Sequence, residues 1–240
     1  AALPADLLHI HSPNIYAGYV AAMVAKEEGI PSIATFHYGG YTNWPHLQER
    51  EEMMQDTFNI VDHIICVSKA SQEAIEKENS SVIYNGIEPS QFYPMEKNRD
   101  QGNDLRIIYP AKICHSKGQK DLVYIGQKLL QEGVPFEINL VGKNADPRYR
   151  YDLETDIKEK ELSDYIHIHK PVPLDKMNEL YNKHNLLIFP SKMEGLGLIS
   201  LEAQAVGVPV VLYDSGGMKE TIIENETGFS VEYNDTYALF

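Results

Sequence analysis

The chain has 240 residues, of which 43% are hydrophobic and 23% charged, an ordinary balance for a folded globular protein and too apolar for a disordered one. Lys and Arg number 21 against 35 Asp and Glu, for a formal net charge of −14. That balance counts against nucleic acid as a partner, because duplex binding needs a basic footprint to displace counterions, and against a polybasic membrane anchor.

Apolar runs alternate with amphipathic ones along the chain. The pattern predicts a strand over 6–11, a helix over 14–28 closed by Gly29 and Pro31, and a strand over 32–36. A charged helix at 46–60, a buried strand at 63–67, a helix at 69–78 capped by Ser68 and a strand at 80–84 follow. Residues 88–104 are rich in Pro, Ser, Asn, Gln and Asp and poor in apolar residues, which predicts a linker. The expected units are therefore 1–95 and 104–240.

Beyond the linker, strands are expected at 105–111, 136–141, 165–169, 186–190 and 208–213. Helices are expected at 118–131, 148–161, 174–184 and 197–206, with Leu122, Ile125, Leu129 and Leu130 on the apolar face of the first. A short helix after Gly216-Gly217 and a last strand after Gly228 complete the pattern. Such alternation predicts an α/β protein with parallel sheets covered on both faces. These sheets bind ligands beyond the carboxyl ends of their strands.

No apolar stretch approaches the roughly 18–20 residues of a membrane span, and no signal-peptide pattern opens the chain. The two cysteines, Cys66 and Cys114, make no disulfide framework and point to reduced thiols in a cytoplasmic protein.

Three segments carry candidate chemistry. In Pro190-Ser191-Lys192-Met193-Glu194-Gly195-Leu196-Gly197-Leu198, a strand ends, two glycines follow and a helix begins. Bare backbone amides at a positive helix end suit a phosphate. Glu194 and Glu202 lie eight residues apart, and if both were helical they would project within about 80° of each other, placing two carboxylates to accept hydrogen bonds from hydroxyls. Lys112 and Lys117 flank the turn after the strand at 105–111, where two ammonium groups would neutralise a diphosphate. His37 follows a strand and meets the glycine-rich run Tyr38-Gly39-Gly40-Tyr41, suggesting a ligand-facing ring. His9-x-His11 and His167-x-His169 have metal-pair spacing but no third ligand near in sequence, and no Asp-x-Asp signals a carboxylate-bound cation, so no metal is expected. Hydrolase, P-loop and dinucleotide signatures are absent from the sequence.

Taken in order, Thr35-x-His37, Val67-Ser68-Lys69-Ala70, Ile83-Tyr84-Asn85-Gly86-Ile87, Lys117-Gly118, Leu140-Val141-Gly142, Pro190-Ser191-x-x-Glu194-Gly195-x-Gly197-Leu198, Glu202-Ala203 and Gly207-x-Pro209-Val210 resemble the group 1 (family 4) retaining glycosyltransferases of the GT-B fold. The resemblance implies two Rossmann-like domains, a nucleotide-sugar donor on the C-terminal one, and metal-independent transfer of a hexosyl group to a glycan or lipid-linked acceptor. It implies no cofactor beyond the donor. It assigns catalytic roles to His37, Lys117 and Glu194. Donor binding falls to Lys112, Gly142, Pro171, Val172, Gly195, Leu196, Gly197, Leu198 and Glu202. Lys112 stands where the family usually has Arg and Lys170 where Gly is common. The family's first strand should precede Leu7 and its closing helices should follow Phe240, which implies a chain truncated at both ends. A cytoplasmic location, possible at the inner face of a membrane, is the expectation. The alternatives are a nucleotide-sugar-binding fragment without transfer activity and a nucleotide-sugar 2-epimerase on the same architecture.

Overall fold

A computed structural model describes residues 5–11, 16–37, 48–95 and 104–240. The expected run Tyr38-Gly39-Gly40-Tyr41 and residues 96–103 of the expected linker lie outside those residues. The chain divides into two units, one of Ala1–Asn85 with Glu194–Leu196, the other of Gly86–Met193 with Gly197–Phe240.

The first unit is built on a parallel sheet in the order β1 (Leu8–His11), β2 (Ser32–Phe36), β3 (His63–Cys66), β4 (Ser80–Val82). Its helices are α1 (Tyr16–Glu28), α2 (Gln48–Ile60) and α3 (Lys69–Ile75). α1 turns Gly18, Ala22 and Ala25 inward, small residues that let it lie close against its neighbours. Phe36 meets Phe58 edge to face, with ring centroids 5.6 Å apart, over buried Ala34, Ile64 and Cys66. Burial pushes the Cys66 thiol up to about 11. Ser68 starts α3 as predicted: its hydroxyl accepts the Ser71 amide at 3.0 Å.

The second unit carries six parallel strands in the order β10 (Gly228–Glu232), β9 (Val210–Asp214), β8 (Leu186–Phe189), β5 (Leu105–Pro110), β6 (Phe136–Val141), β7 (Ile166–His169). Its helices are α4 (Gln119–Gln131), α5 (Pro147–Glu159), α6 (Leu174–Asn182), α7 (Leu198–Ala205) and the short α8 (Thr236–Leu239), which the pattern had not signalled. Leu122, Ile125 and Leu129 of α4 are buried as expected, joined by Val123, whereas Leu130 in the last turn stays 38% exposed. α4 contacts α5, and α6 contacts α7. Right-handed crossovers from β5 through β7 and then back from β7 to β10 require those two pairs to cover opposite faces.

Residues 86–95, expected on the first side of the linker, group with the second unit. Their backbone is anchored there: the Tyr93 amide donates to Asn178 Oδ1 at 2.9 Å, the Met95 amide to Asn182 Oδ1 at 2.7 Å, and Phe92 is buried in that unit's core. A polar stretch is thus fixed by two buried asparagines together with the one aromatic ring it buries.

Candidate functional site

Strand order locates the site of the second unit. The chain leaves β5 toward β6 and β7, then returns to set β8 on the other side of β5. Where the order reverses, the loops after β5 and β8 diverge to opposite faces and open a crevice between them. The first loop holds Lys112, a 3-10 turn at His115–Lys117, and Gly118; the second runs from Pro190 to Gly197.

Backbone bonds tie these loops together. The Lys192 amide donates to the Ser116 carbonyl at 2.9 Å, the Ser191 hydroxyl to the same carbonyl at 3.4 Å, and the Ser215 hydroxyl to the Lys192 carbonyl at 2.5 Å. The side chain of Gln119, fully buried, donates to the Lys112 carbonyl at 2.8 Å. Gly118 has φ +66°, and a Cβ there would lie 2.1 Å from the Pro190 carbonyl oxygen. Gly142, at the end of β6, leaves 1.8 Å between its would-be Cβ and the Ala111 carbonyl oxygen. Both glycines are therefore demanded by backbone running against backbone.

The two loops carry three lysines. Lys112 is exposed and Lys117 half-buried. A third cation is Lys192, whose Nζ lies 3.3 and 3.4 Å from the ring nitrogens of His115. α7 begins at Gly197 in the left-handed conformation, φ +94° and ψ 62°, and no side chain caps it. The Ser200 amide turns back to the Gly197 carbonyl at 3.0 Å, so the amides that α7 can offer an external acceptor are those of Leu198 and Ile199.

Glu202, one turn into α7, accepts a 2.6 Å hydrogen bond from the hydroxyl of fully buried Tyr181 on α6. Burial raises the Glu202 carboxyl above its ordinary range, and the Tyr181 bond pulls the other way. Tyr181 was missed from sequence, because nothing local marks a tyrosine twenty-one residues upstream as a carboxylate's partner. Nearby, burial also raises Asp121 in the first turn of α4, and that carboxylate accepts from Tyr213 at 3.1 Å. Pro171 is exposed after β7 and Val172 half-buried against the core.

α7 starts at Leu198, close to the expected position, so Glu194 is not helical and the condition behind the 80° estimate is not met. With Gly195 and Leu196 it groups with the first unit. Within that unit a Cβ on Gly195 would lie 2.2 Å from the His37 carbonyl oxygen, and the Ser71 hydroxyl donates to the Gly195 carbonyl at 3.4 Å. Leu196 is buried. His37 follows β2, its Nε2 lying 3.2 Å from Nδ1 of His11. Partial burial lowers the His37 imidazole from its usual value, with His11 and His9 adding to the effect.

Of the paired histidines, His169 Nε2 donates to Asn139 Oδ1 at 2.5 Å, and His167 lies 3.8 Å from Glu137. Among the described residues no group of three His, Cys, Asp or Glu is arranged to hold a metal ion, and no helix is long and apolar enough to cross a membrane.

This arrangement matches known proteins along nearly the whole chain. The family model described as "Glycosyl transferases group 1" matches residues 94–239, and that described as "Glycosyltransferase Family 4" matches residues 1–91. The chain belongs to the group 1 glycosyltransferases. Members of this family are transferases, and the two parallel α/β units are of the GT-B kind. Among curated relatives, the alpha-maltose-1-phosphate synthase of Mycolicibacterium smegmatis is 24% identical over 265 residues, covering 95% of this chain and 66% of the relative. The sucrose-phosphate synthase of Thermosynechococcus elongatus superposes with a TM-score of 0.82 at 21% identity, over 98% of this chain and 62% of that one. HepE of Anabaena, solved in complex with UDP-glucose, also superposes at 0.82 with 21% identity, over 98% of this chain and 66% of its own. The chain thus spans between 46% and 66% of the length of curated relatives it matches.

Proposed function

We propose that this chain is a retaining glycosyltransferase that moves a hexosyl group from a nucleotide-diphosphate sugar to an acceptor hydroxyl. The observation that carries this reading is the crevice at the strand-order reversal. The loops that bound it carry Lys112, Lys117 and Lys192, and α7 begins there with no side-chain cap and a carboxylate one turn along. That is the chemistry of a pyrophosphate with hydroxylated groups beside it.

In this reading the amides from Gly195 to Leu198, with Lys112 and Lys117, hold the diphosphate. Gly142, Pro171 and Val172 line the base end, Glu202 binds the ribose hydroxyls, Glu194 contacts the donor sugar, and His37 serves the reaction centre. The reaction breaks the bond between the anomeric carbon and the leaving phosphate oxygen and forms one to the acceptor oxygen. The leaving phosphate accepts the acceptor's proton, so the products are the glycoside and the nucleoside diphosphate. Lys117 acts where negative charge grows on that leaving group, and a preorganised charge there is worth on the order of 10²–10³ in rate. No metal and no cofactor enter this scheme. A glycan or lipid-linked acceptor, in the cytoplasm or at the inner face of a membrane, fits the same reading.

A melting screen against UDP-, GDP- and ADP-sugars tests donor binding, since a ligand at about 100 times its Kd stabilises by about 2.7 kcal/mol. Glu194→Ala should abolish most transfer while leaving the melting temperature unchanged; normal turnover in that variant would overturn the role. One second reading is a nucleotide-sugar-binding module without transfer activity, which binding without turnover would identify. Release of an epimerised sugar instead of a transferred one would identify a 2-epimerase.

A further inference from the structure

The histidines of β1 have so far been left without a role. β1 and β2 run parallel in the register His9 to Ile33 and His11 to Thr35. Side chains two apart on a strand share a face, so His9 and His11 stand together, as do Thr35 and His37. Each β1 ring then leans two residues along β2. His9 Nε2 lies 2.7 Å from the Thr35 hydroxyl, and His11 Nδ1 lies 3.2 Å from His37 Nε2. The rings of His9 and His11 are 4.2 Å apart between centroids, and those of His11 and His37 stack at 5.5 Å. The two diagonal contacts repeat one geometry, and the pattern His-x-His against Thr-x-His produces it.

We propose that His11 is a positioning residue for His37, fixing the orientation of its ring and which of its nitrogens carries the hydrogen. The inference rests on the reading in which His37 serves the reaction centre. The 3.2 Å bond needs one hydrogen between the two nitrogens. If His37 Nε2 donates, His37 Nδ1 is bare, and His11 must carry its hydrogen on Nε2. If His11 Nδ1 donates, His37 keeps its hydrogen on Nδ1. The tautomers are therefore locked together, and a second hydrogen in the bond would set two N–H groups against each other. His9, packed on His11 and bonded to Thr35, restrains the ring from behind. Among the described residues, the titratable groups that act on His37 are His11 and His9, both on β1.

The test uses the full chain, with long-range proton–nitrogen NMR of the imidazoles, in the wild type, His11→Phe and His11→Asn. Phe keeps a ring and removes the bond; Asn keeps a polar atom near the Nδ1 position. In His11→Phe, the His37 nitrogen shifts should move away from the wild-type tautomer and its titration midpoint should rise, because one neighbouring imidazole is gone. In His11→Asn, the tautomer signature should return toward wild type. Circular dichroism confirms that each variant is folded. Unchanged His37 nitrogen shifts in folded His11→Phe would overturn the proposal, as would a loss of melting temperature with no change at His37. Where the wild type turns over UDP-glucose, His11→Phe should lower kcat by on the order of 10- to 100-fold with a smaller change in KM. Failure to bind any nucleotide sugar would sink the donor reading while leaving the tautomer result standing, so the two failures are separable.

Discussion

Gly118→Ala tests the architecture of the crevice most directly. Two separable costs are expected. Gly118 sits at φ +66°, where an L-residue is disfavoured by about 1–2 kcal/mol. Its new Cβ would also lie 2.1 Å from the Pro190 carbonyl oxygen, against the 3.0 Å that real contacts respect, so the loops after β5 and β8 must part by roughly 0.9 Å. Overpacking of that kind costs about 1–3 kcal/mol. The total loss is then about 2–5 kcal/mol. Gly133→Ala is the control: it lies in the same unit at φ +68°, with nothing within 4 Å of its would-be Cβ, and it should show the conformational cost alone. Urea denaturation of the three proteins, followed by a probe in the second unit, measures the difference as a shift in midpoint at constant slope. The same displacement moves neighbouring Lys117 and the start of the glycine loop, so the melting shift given by UDP-glucose should shrink in Gly118→Ala and persist in Gly133→Ala. Equal destabilisation by the two substitutions, with UDP-glucose binding intact in both, would refute the claim that backbone contact at Gly118 builds the crevice.

Tyr181→Phe removes the 2.6 Å bond to Glu202 and should cost about 1.5–3 kcal/mol at most, less for the part of Glu202 that water reaches; it should also push the Glu202 carboxyl further up and weaken UDP-glucose binding by calorimetry. An unchanged midpoint and affinity would show that the bond is idle. Stability should fall on acidification from pH 7.5 to 5.5. His9, His37 and His184 all have imidazoles lowered chiefly by burial, so the unfolded chain takes up protons first, and their contribution, complete above about 6.5, is lost as pH falls through that value. The raised carboxyls of Glu202 and Asp121 act with the opposite sign and offset part of this loss, so a melting temperature that rises between pH 7.5 and 6 would contradict the histidine argument. A thiol reagent at pH 8 should label half-buried Cys114 quickly and buried Cys66 only on unfolding; two fast thiols in the native protein would contradict the packing of β3.

Much of the second unit was legible because its signals are local. β6 falls on 136–141 as predicted, and α4, α5 and α7 fall within two residues of expectation, since apolar periodicity, Gly133, Gly207 and the N-terminal Pro147 mark their ends. Ser68 was readable as a cap for the same reason. β4 and α3 are shorter than expected. Glu76 takes the left-handed conformation at φ +50° and stops α3, a choice that a glutamate does not announce. Gly118, Gly142, Gly195 and Gly197 stood out in sequence as glycines in strand-end loops. Which backbone each must admit was not legible, because the clashing atoms belong to residues up to 158 positions away.

The sequence by itself determined the alternation of strand and helix, the two-unit division in outline, and which loops end strands, because periods, caps and turn residues act over a few positions. It also set Lys112, Lys117 and the 190–198 loop at strand ends. Only the tertiary structure decided that β8 returns to the side of β5, and so brings residues 112–118 and 190–193 together. The same level decided that Tyr181 holds Glu202, that residues 86–95 join the second unit, and that His11 meets His37. The reason is that strand neighbours are chosen by the packing of whole helices across a sheet. The energy of that choice is spread over distant side chains, and no short window of sequence contains it.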